Sequence, residues 1–185
     1  GIDAGIVIGD VVMRGAAPGR CIDRIVELGW PAVAGNTDLR VVAEAPRPVT
    51  HRASSRVGSR SWTRRALNDA QAAFLAALPL SCVVGLGRFR VMVMHASPHD
   101  PALTVVDAFS SDKTLGRLAE HLGVDAIVTG HTHVQLTRHV DGCLFVNAAS
   151  VGESPDPDDL RPRWAWLEVA DDRLVAHLES VDSPL

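Results

Sequence analysis

Four apolar runs in this chain each end in a side chain that can ligate through oxygen or nitrogen: Asp10, Asn36, His95 and His131, with His133 two residues beyond the last. In three of the four a glycine directly precedes the ligand, as Gly9-Asp10, Gly35-Asn36 and Gly130-His131. Runs this short are strands rather than helices, and where helical segments separate them the strands pair in parallel. In such sheets ligands bind outside the carboxyl ends of the strands, so residues distant in sequence converge there. Each residue alone has an ordinary reading, because Gly-Asp and Gly-Asn are common turn chemistry and histidines tolerate half-burial at strand ends. Four together point to a site. His131 and His133 reach one point in space if the backbone between them stays extended, since side chains at i and i+2 then share a face.

The rest of the pattern supplies the frame. Residues 5–8 and 30–34 read as the first two strands. Between them lies a helix that starts at Pro18, carries Cys21, Ile22, Ile25, Val26 and Leu28 on its apolar face, and stops at Gly29. Residues 44–61 lose periodicity among prolines, serines and arginines and read as a long surface loop. Asn68 and Gln71 have capping-box spacing ahead of a helix over residues 69–78. Residues 81–86 and 89–94 form a hairpin around Gly87-Arg88, and Ser110 or Ser111 caps a helix closed by Gly123. A strand over 126–129 leads into the paired histidines. Residues 134–139 and 143–147 flank Asp141-Gly142 as a second hairpin, and the chain closes as two antiparallel strands turning at Asp171-Asp172.

At 185 residues one domain buries roughly 70% of its unfolded surface, so it needs no metal or disulfide to fold and any metal is functional. Hydrophobic residues at 46% and charged residues at 22% fit a globular protein, and no apolar run approaches the ~20 residues of a membrane span. Residues 1–10 hold acids and no Lys or Arg, unlike a signal peptide, so a cytoplasmic location is expected. Cys21, Cys82 and Cys143 lack metal or redox spacing and are expected as reduced core residues. A net charge of −4 argues against general nucleic-acid binding. The arginines at 47, 52, 56, 60, 64 and 65 read as a solvated loop, with attraction of anionic substrates as the functional alternative.

A carboxylate, an amide oxygen and imidazoles without a thiolate suit Mn²⁺, Fe, Co, Ni or Zn²⁺ and exclude Cys-rich structural zinc. Asp10 alone offers a carboxylate able to bridge two cations about 3.5–4 Å apart, the arrangement that serves phosphoryl chemistry.

Gly9-Asp10, Gly35-Asn36-Thr37-Asp38, His95 within Met94-His95-Ala96-Ser97-Pro98, and Gly130-His131-Thr132-His133 resemble, in order and spacing, the calcineurin-like metallophosphoesterases. Asn147-Ala148-Ala149-Ser150-Val151-Gly152 is similar to that family's Asn-Pro-Gly-Ser-Val-Gly element, and residues 75–79 to the Leu-x-x-Leu-Pro helix ending of its compact bacterial phosphodiesterases. The resemblance implies an α/β fold, a four-layer α/β/β/α sandwich of two mixed sheets flanked by helices. It also implies a dinuclear centre holding two divalent metal ions, Mn foremost, with Fe, Ni, Co or Zn as alternatives. Carried over residue by residue, Asp10 bridges both ions, Asn36, His95 and His131 complete one, and His133 belongs to the other. Asn36 and Thr37 face the substrate phosphate. Asp38 would orient the histidine that many relatives carry where Thr37 stands, or else cap a turn.

The implied activity is hydrolysis of small phosphodiesters or phosphomonoesters by attack of a metal-bound hydroxide. The family's Asp-x-His motif, with its strand and helix, would precede Gly1, so the single domain over residues 1–185 is expected to be N-terminally incomplete. A centre holding one ion is the corresponding alternative. An unpaired sheet edge would then favour a homo-oligomer. The rival functional reading is a noncatalytic protein-interaction module that keeps the fold, as the retromer subunit of this fold does.

Overall fold

The computed structural model describes residues 2–44 and 56–182, which divide into two units after Leu80. Arg47 and Arg52, and most of the stretch read as a long loop, lie outside the described residues.

In the first unit, Val7 N–H donates to Pro31 O at 2.9 Å and Val33 N–H to Val7 O at 3.0 Å, making one parallel bridge between Val7 and Ala32. The two apolar runs pair in the expected sense but over a single bridge, not as extended strands. Pro31 brings no N–H, and Gly9 and Asp10, with φ of 78° and 52°, turn the chain at once. Helix α1, Pro18–Leu28, begins on its proline and ends where Gly29, φ 62°, returns its N–H to the last turn.

Its buried stripe is narrower than the expected face. Pro18 and Ile22 are buried, whereas Cys21, Val26 and Leu28 are exposed. Cys21 precedes Ile22 by one residue, about 100° round the helix, so it leaves the core. Helix α2, Asn36–Val42, starts on the ligand-type residue itself. Helix α3, Arg60–Ala66, takes part of the stretch expected as loop and is capped by Ser59 Oγ accepting from Trp62 N–H. Helix α4, Asp69–Ala77, has the expected capping box, with Gln71 N–H on Asn68 Oδ1 at 2.8 Å and Asn68 N–H on Gln71 Oε1 at 3.1 Å. Val12, Ile22, Val41, Leu67 and Leu75 form the core of this unit.

The second unit is built on a five-stranded mixed sheet. Strand β1, Ser81–Leu86, pairs antiparallel with β2, Phe89–Met94. Helix α5, Asp112–Leu122, is capped by Ser111 and closed by Gly123, and crosses over to β3, Ala126–Thr129, parallel to β2. After β4, Leu136–Val140, a turn at Asp141-Gly142 leads to β5, Cys143–Asn147, which lies between β3 and β4. The order is therefore β1-β2-β3-β5-β4, with β2, β3 and β5 parallel. Every residue of β3 and β5 is buried, which is why these strands read as unbroken apolar runs.

Met92, Met94, Val106, Leu115, Ile127 and Phe145 pack beneath α5 and the loop preceding it. Strands β6, Arg163–Ala170, and β7, Arg173–Ser180, form a separate antiparallel pair turning through Asp171 and Asp172, both left-handed. Gln135 Nε2 donates to Trp164 O and Glu179 O, fastening this pair beside the start of β4. The fold is α/β with a mixed sheet and helices, as expected. Among the described residues no helix is long and apolar enough to cross a membrane.

Phe145 is completely buried in β5, which has β3 on one side and β4 on the other. Phe145→Ala should lower unfolding free energy by about 3–5 kcal/mol in a urea titration, and a loss under about 1 kcal/mol would refute this account of the core.

Candidate metal centre

In the first unit the site residues are set by a glycine and a helix start. A Cβ on Gly35 would lie 2.1 Å from Asp10 N and Oδ1, so only glycine permits this approach. Asp10 Oδ1 accepts from Thr37 N–H at 2.9 Å, which fixes the carboxylate against the first turn of α2. Asn36 Oδ1 is buried and has no hydrogen-bond partner. An orphaned acceptor costs about 1–3 kcal/mol and calls for an explanation.

Thr37, expected on the substrate side, is buried, and its hydroxyl donates to Val12 O at 3.0 Å. Asp38 is fully buried, with Oδ1 accepting from Val12 N–H at 3.1 Å and Oδ2 from Gly35 N–H at 2.9 Å. Burial pushes its pKa up to about 6, against the lowering effect of those donors and with a further upward push from the Asp10 charge. Its hydrogen bonds make it the clamp that joins residue 12 to the start of α2.

In the second unit His95 leaves the end of β2 and is buried, and Gly130 N–H donates to its carbonyl at 3.0 Å. His95 Nε2 and His131 Nδ1 face each other at 3.3 Å, with the rings edge to face. Two imidazole nitrogens this close are the pair that would hold one cation between them. The backbone of the paired histidines is not extended, contrary to the sequence expectation. His131 and His133 both take left-handed conformations, with φ of 64° and 60°, and Thr132 N–H donates to Gly130 O at 2.7 Å. The two rings consequently have different neighbours: His133 Nδ1 lies 3.9 Å from Glu153 Oε2.

Asn147, buried at the end of β5, donates through Nδ2 to Gly130 O at 2.6 Å, Thr132 Oγ1 at 3.1 Å and Thr129 Oγ1 at 3.2 Å, and accepts from Ala149 N–H at 2.9 Å. Neither Asn147 nor Glu153 follows from ligand spacing. The available signal for Asn147 is that it, too, is a polar residue ending an apolar run.

In the second unit the facing His95 and His131 nitrogens fit a divalent cation of the borderline class, and in the first unit the orphaned Asn36 oxygen is by itself a ligand-type atom. Among the described residues, no group of three or more His, Cys, Asp or Glu side chains is gathered closely enough to hold a metal. The structure thus brings together His95 with His131, His133 with Glu153, and Asp10 with Thr37.

The chain belongs to the calcineurin-like phosphoesterase superfamily, whose domain model matches residues 2–172. An uncharacterized protein of Methanocaldococcus jannaschii is 24% identical over 158 residues, covering 82% of this chain and 59% of that protein, so the chain spans about three fifths of that relative. A metallophosphoesterase from Sphaerobacter thermophilus shares the fold with a TM-score of 0.79 at 21% identity, over 96% of this chain and 78% of that one. Vacuolar Protein Sorting 29 from Cryptosporidium parvum shares it with a TM-score of 0.51 at 16% identity, over 98% and 83%.

Ala149, φ 63°, stands where the family element resembled above has glycine. A left-handed L-residue costs about 1–2 kcal/mol, offset in part by the smaller unfolded-state entropy of alanine. Ala149→Gly should therefore stabilise the protein by about 0.5–1 kcal/mol in chemical denaturation, and destabilisation would contradict the strain assigned to this residue.

Proposed function

We propose that this chain forms the catalytic domain of a metal-dependent phosphoesterase acting on small phosphodiesters or phosphomonoesters. In this reading Asp10 and Asn36 of the first unit, and His95, His131 and His133 of the second, would hold divalent ions, with the Asp10 carboxylate as the candidate bridging group. Membership of the calcineurin-like superfamily supports reading the ligand-type residues of each unit as metal ligands. The observation that carries the reading is the meeting of His95 Nε2 and His131 Nδ1 at 3.3 Å. When bound, divalent cations, Mn²⁺ foremost with Fe, Ni, Co or Zn²⁺ as alternatives, supply a water-derived nucleophile near neutral pH and positive charge for the phosphoryl oxygens.

The protein's own part is placement. His95 and His131 offer facing imidazole nitrogens, Thr37 N–H holds one Asp10 oxygen, and Asn36 keeps an amide oxygen without a protein donor. The Thr37 hydroxyl is committed to Val12 O and is too weak an acid to protonate a leaving group, so that proton comes from water. The free thiols of Cys21, Cys82 and Cys143 suit a cytoplasmic setting.

The second reading, a noncatalytic protein-interaction module, draws on the fold likeness to Vacuolar Protein Sorting 29. Against it stand the buried unsatisfied Asn36 oxygen and the left-handed backbone at both motif histidines, costs that a scaffold has no physical reason to carry.

Purified full-length protein should retain divalent metal and hydrolyse bis(p-nitrophenyl) phosphate in a Mn²⁺-dependent manner. His95→Ala should lose one metal equivalent and reduce turnover at least about 10²-fold, whereas variation of exposed His99 should leave metal content unchanged. Elemental analysis with steady-state kinetics reads both; absence of metal and of Mn²⁺-dependent turnover would sink the phosphoesterase reading.

A further inference from the structure

The paired-histidine turn does not hold its shape through strand pairing. His131 and His133 are outside the sheet, and both are left-handed, a conformation that an L-residue keeps only when its surroundings enforce it. Asn147 reaches across this turn with several bonds. Its amide nitrogen is bonded to Gly130 O, immediately before His131, and to Thr132 Oγ1, between the two histidines. Its amide oxygen holds Ala149 N–H, so the amide cannot rotate without losing bonds on both sides. Asn147 itself is anchored, because its backbone pairs with Thr129 in the parallel ladder and its side chain is buried.

We propose that Asn147 is a positioning residue for the metal centre: its amide clasps residues 130–132 to the end of β5 and so presents His131 toward His95 before any cation arrives. The proposal rests on the metallophosphoesterase reading for its purpose but not for its geometry. It assigns the amide a directional task that hydrophobic packing could not perform. A donor must meet the Gly130 carbonyl at the same time as an acceptor meets the Ala149 amide, and a carboxamide offers the two on separate atoms, where a hydroxyl has only one. The carboxylate of an aspartate would keep the acceptor and lose the donor.

The test uses full-length protein and two readouts. In metal-free protein, long-range ¹H–¹⁵N spectra of the histidine rings should show His95 and His131 each in one tautomer, consistent with their 3.3 Å contact. Asn147→Ala and Asn147→Asp should both convert these signals to averaged ones. Mn²⁺ titration by calorimetry should show affinity falling about 10–100-fold, the range seen when an outer partner of a metal ligand is removed. In turnover, kcat should fall with KM nearly constant.

Thr132→Val removes only one acceptor and serves if the Asn147 variants do not fold, with a loss of a few-fold expected. Unchanged ring signals in a folded Asn147 variant, or in Thr132→Val where neither Asn147 variant folds, would overturn the proposal. So would unchanged Mn²⁺ affinity against a metal-binding wild type. If wild-type protein bound no Mn²⁺ while the ring signals still responded to Asn147, the metal reading would fail and the clasp would stand.

Discussion

The parallel register of β2, β3 and β5 is the constraint on which the placement of the second unit's candidate ligands depends. Val93 pairs with Val128 and Thr129 with Asn147, so the three strands reach their carboxyl ends side by side. His95, His131 and Asn147 leave the sheet there because of this register. The ladder even continues past the strands, through Gly130 N–H on His95 O and Ala148 N–H on Thr129 O. Neighbouring strands are about 4.8 Å apart, and rings carried just beyond two of them need only a modest inward tilt to bring their nitrogens to 3.3 Å. An antiparallel β3 would have carried its histidines to the opposite end. The crossover through α5 makes β3 parallel, and the burial of Leu115 and Ala119 holds that helix in place.

The first unit reaches a comparable result by other means. Its one parallel bridge is too short to set a register, so contacts between backbone and side chain take over. Gly35 admits Asp10, the first turn of α2 supplies Thr37 N–H, and buried Asp38 ties Val12 to Gly35. The costs gather on the same motif residues. Asp10, His131, His133 and Ala149 are left-handed at about 1–2 kcal/mol each, and Asn36 adds a buried acceptor without a donor. Fully buried Leu75 in one unit, with Ile127 and Phe145 in the other, are the kind of contacts that offset such strain.

Much of the fold was legible because its signals are local. The Asn68–Gln71 capping box, the Asp141-Gly142 turn, the Gly29 and Gly123 stops and the unbroken apolar runs of β3 and β5 all act within a few residues. Elements that depend on tertiary contacts were not. Helix α3 has only a serine cap and no acidic first turn to announce it. The exposure of Cys21 and Val26 depends on how much of α1 its neighbours cover, which periodicity cannot state. The ligand-type residues were legible as strand-end polar groups, but the left-handed backbone at His131 and His133 was not, since neither is a glycine. It is enforced from β5, fourteen or more residues away, by Asn147.

That backbone changes what the two histidines can do. In an extended segment both rings would face one way and could chelate a single ion. With two left-handed residues, His131 turns its Nδ1 to His95 while His133 turns its Nδ1 to the ion-pair range of Glu153. A carboxylate beside one ring nitrogen favours the proton there and leaves the other nitrogen as the donor to a metal. His133 would then ligate through Nε2 and His131 through Nδ1, so the rings require opposite tautomers. Two residues apart in sequence, they face different neighbours, and the spacing of the motif alone could not have separated them.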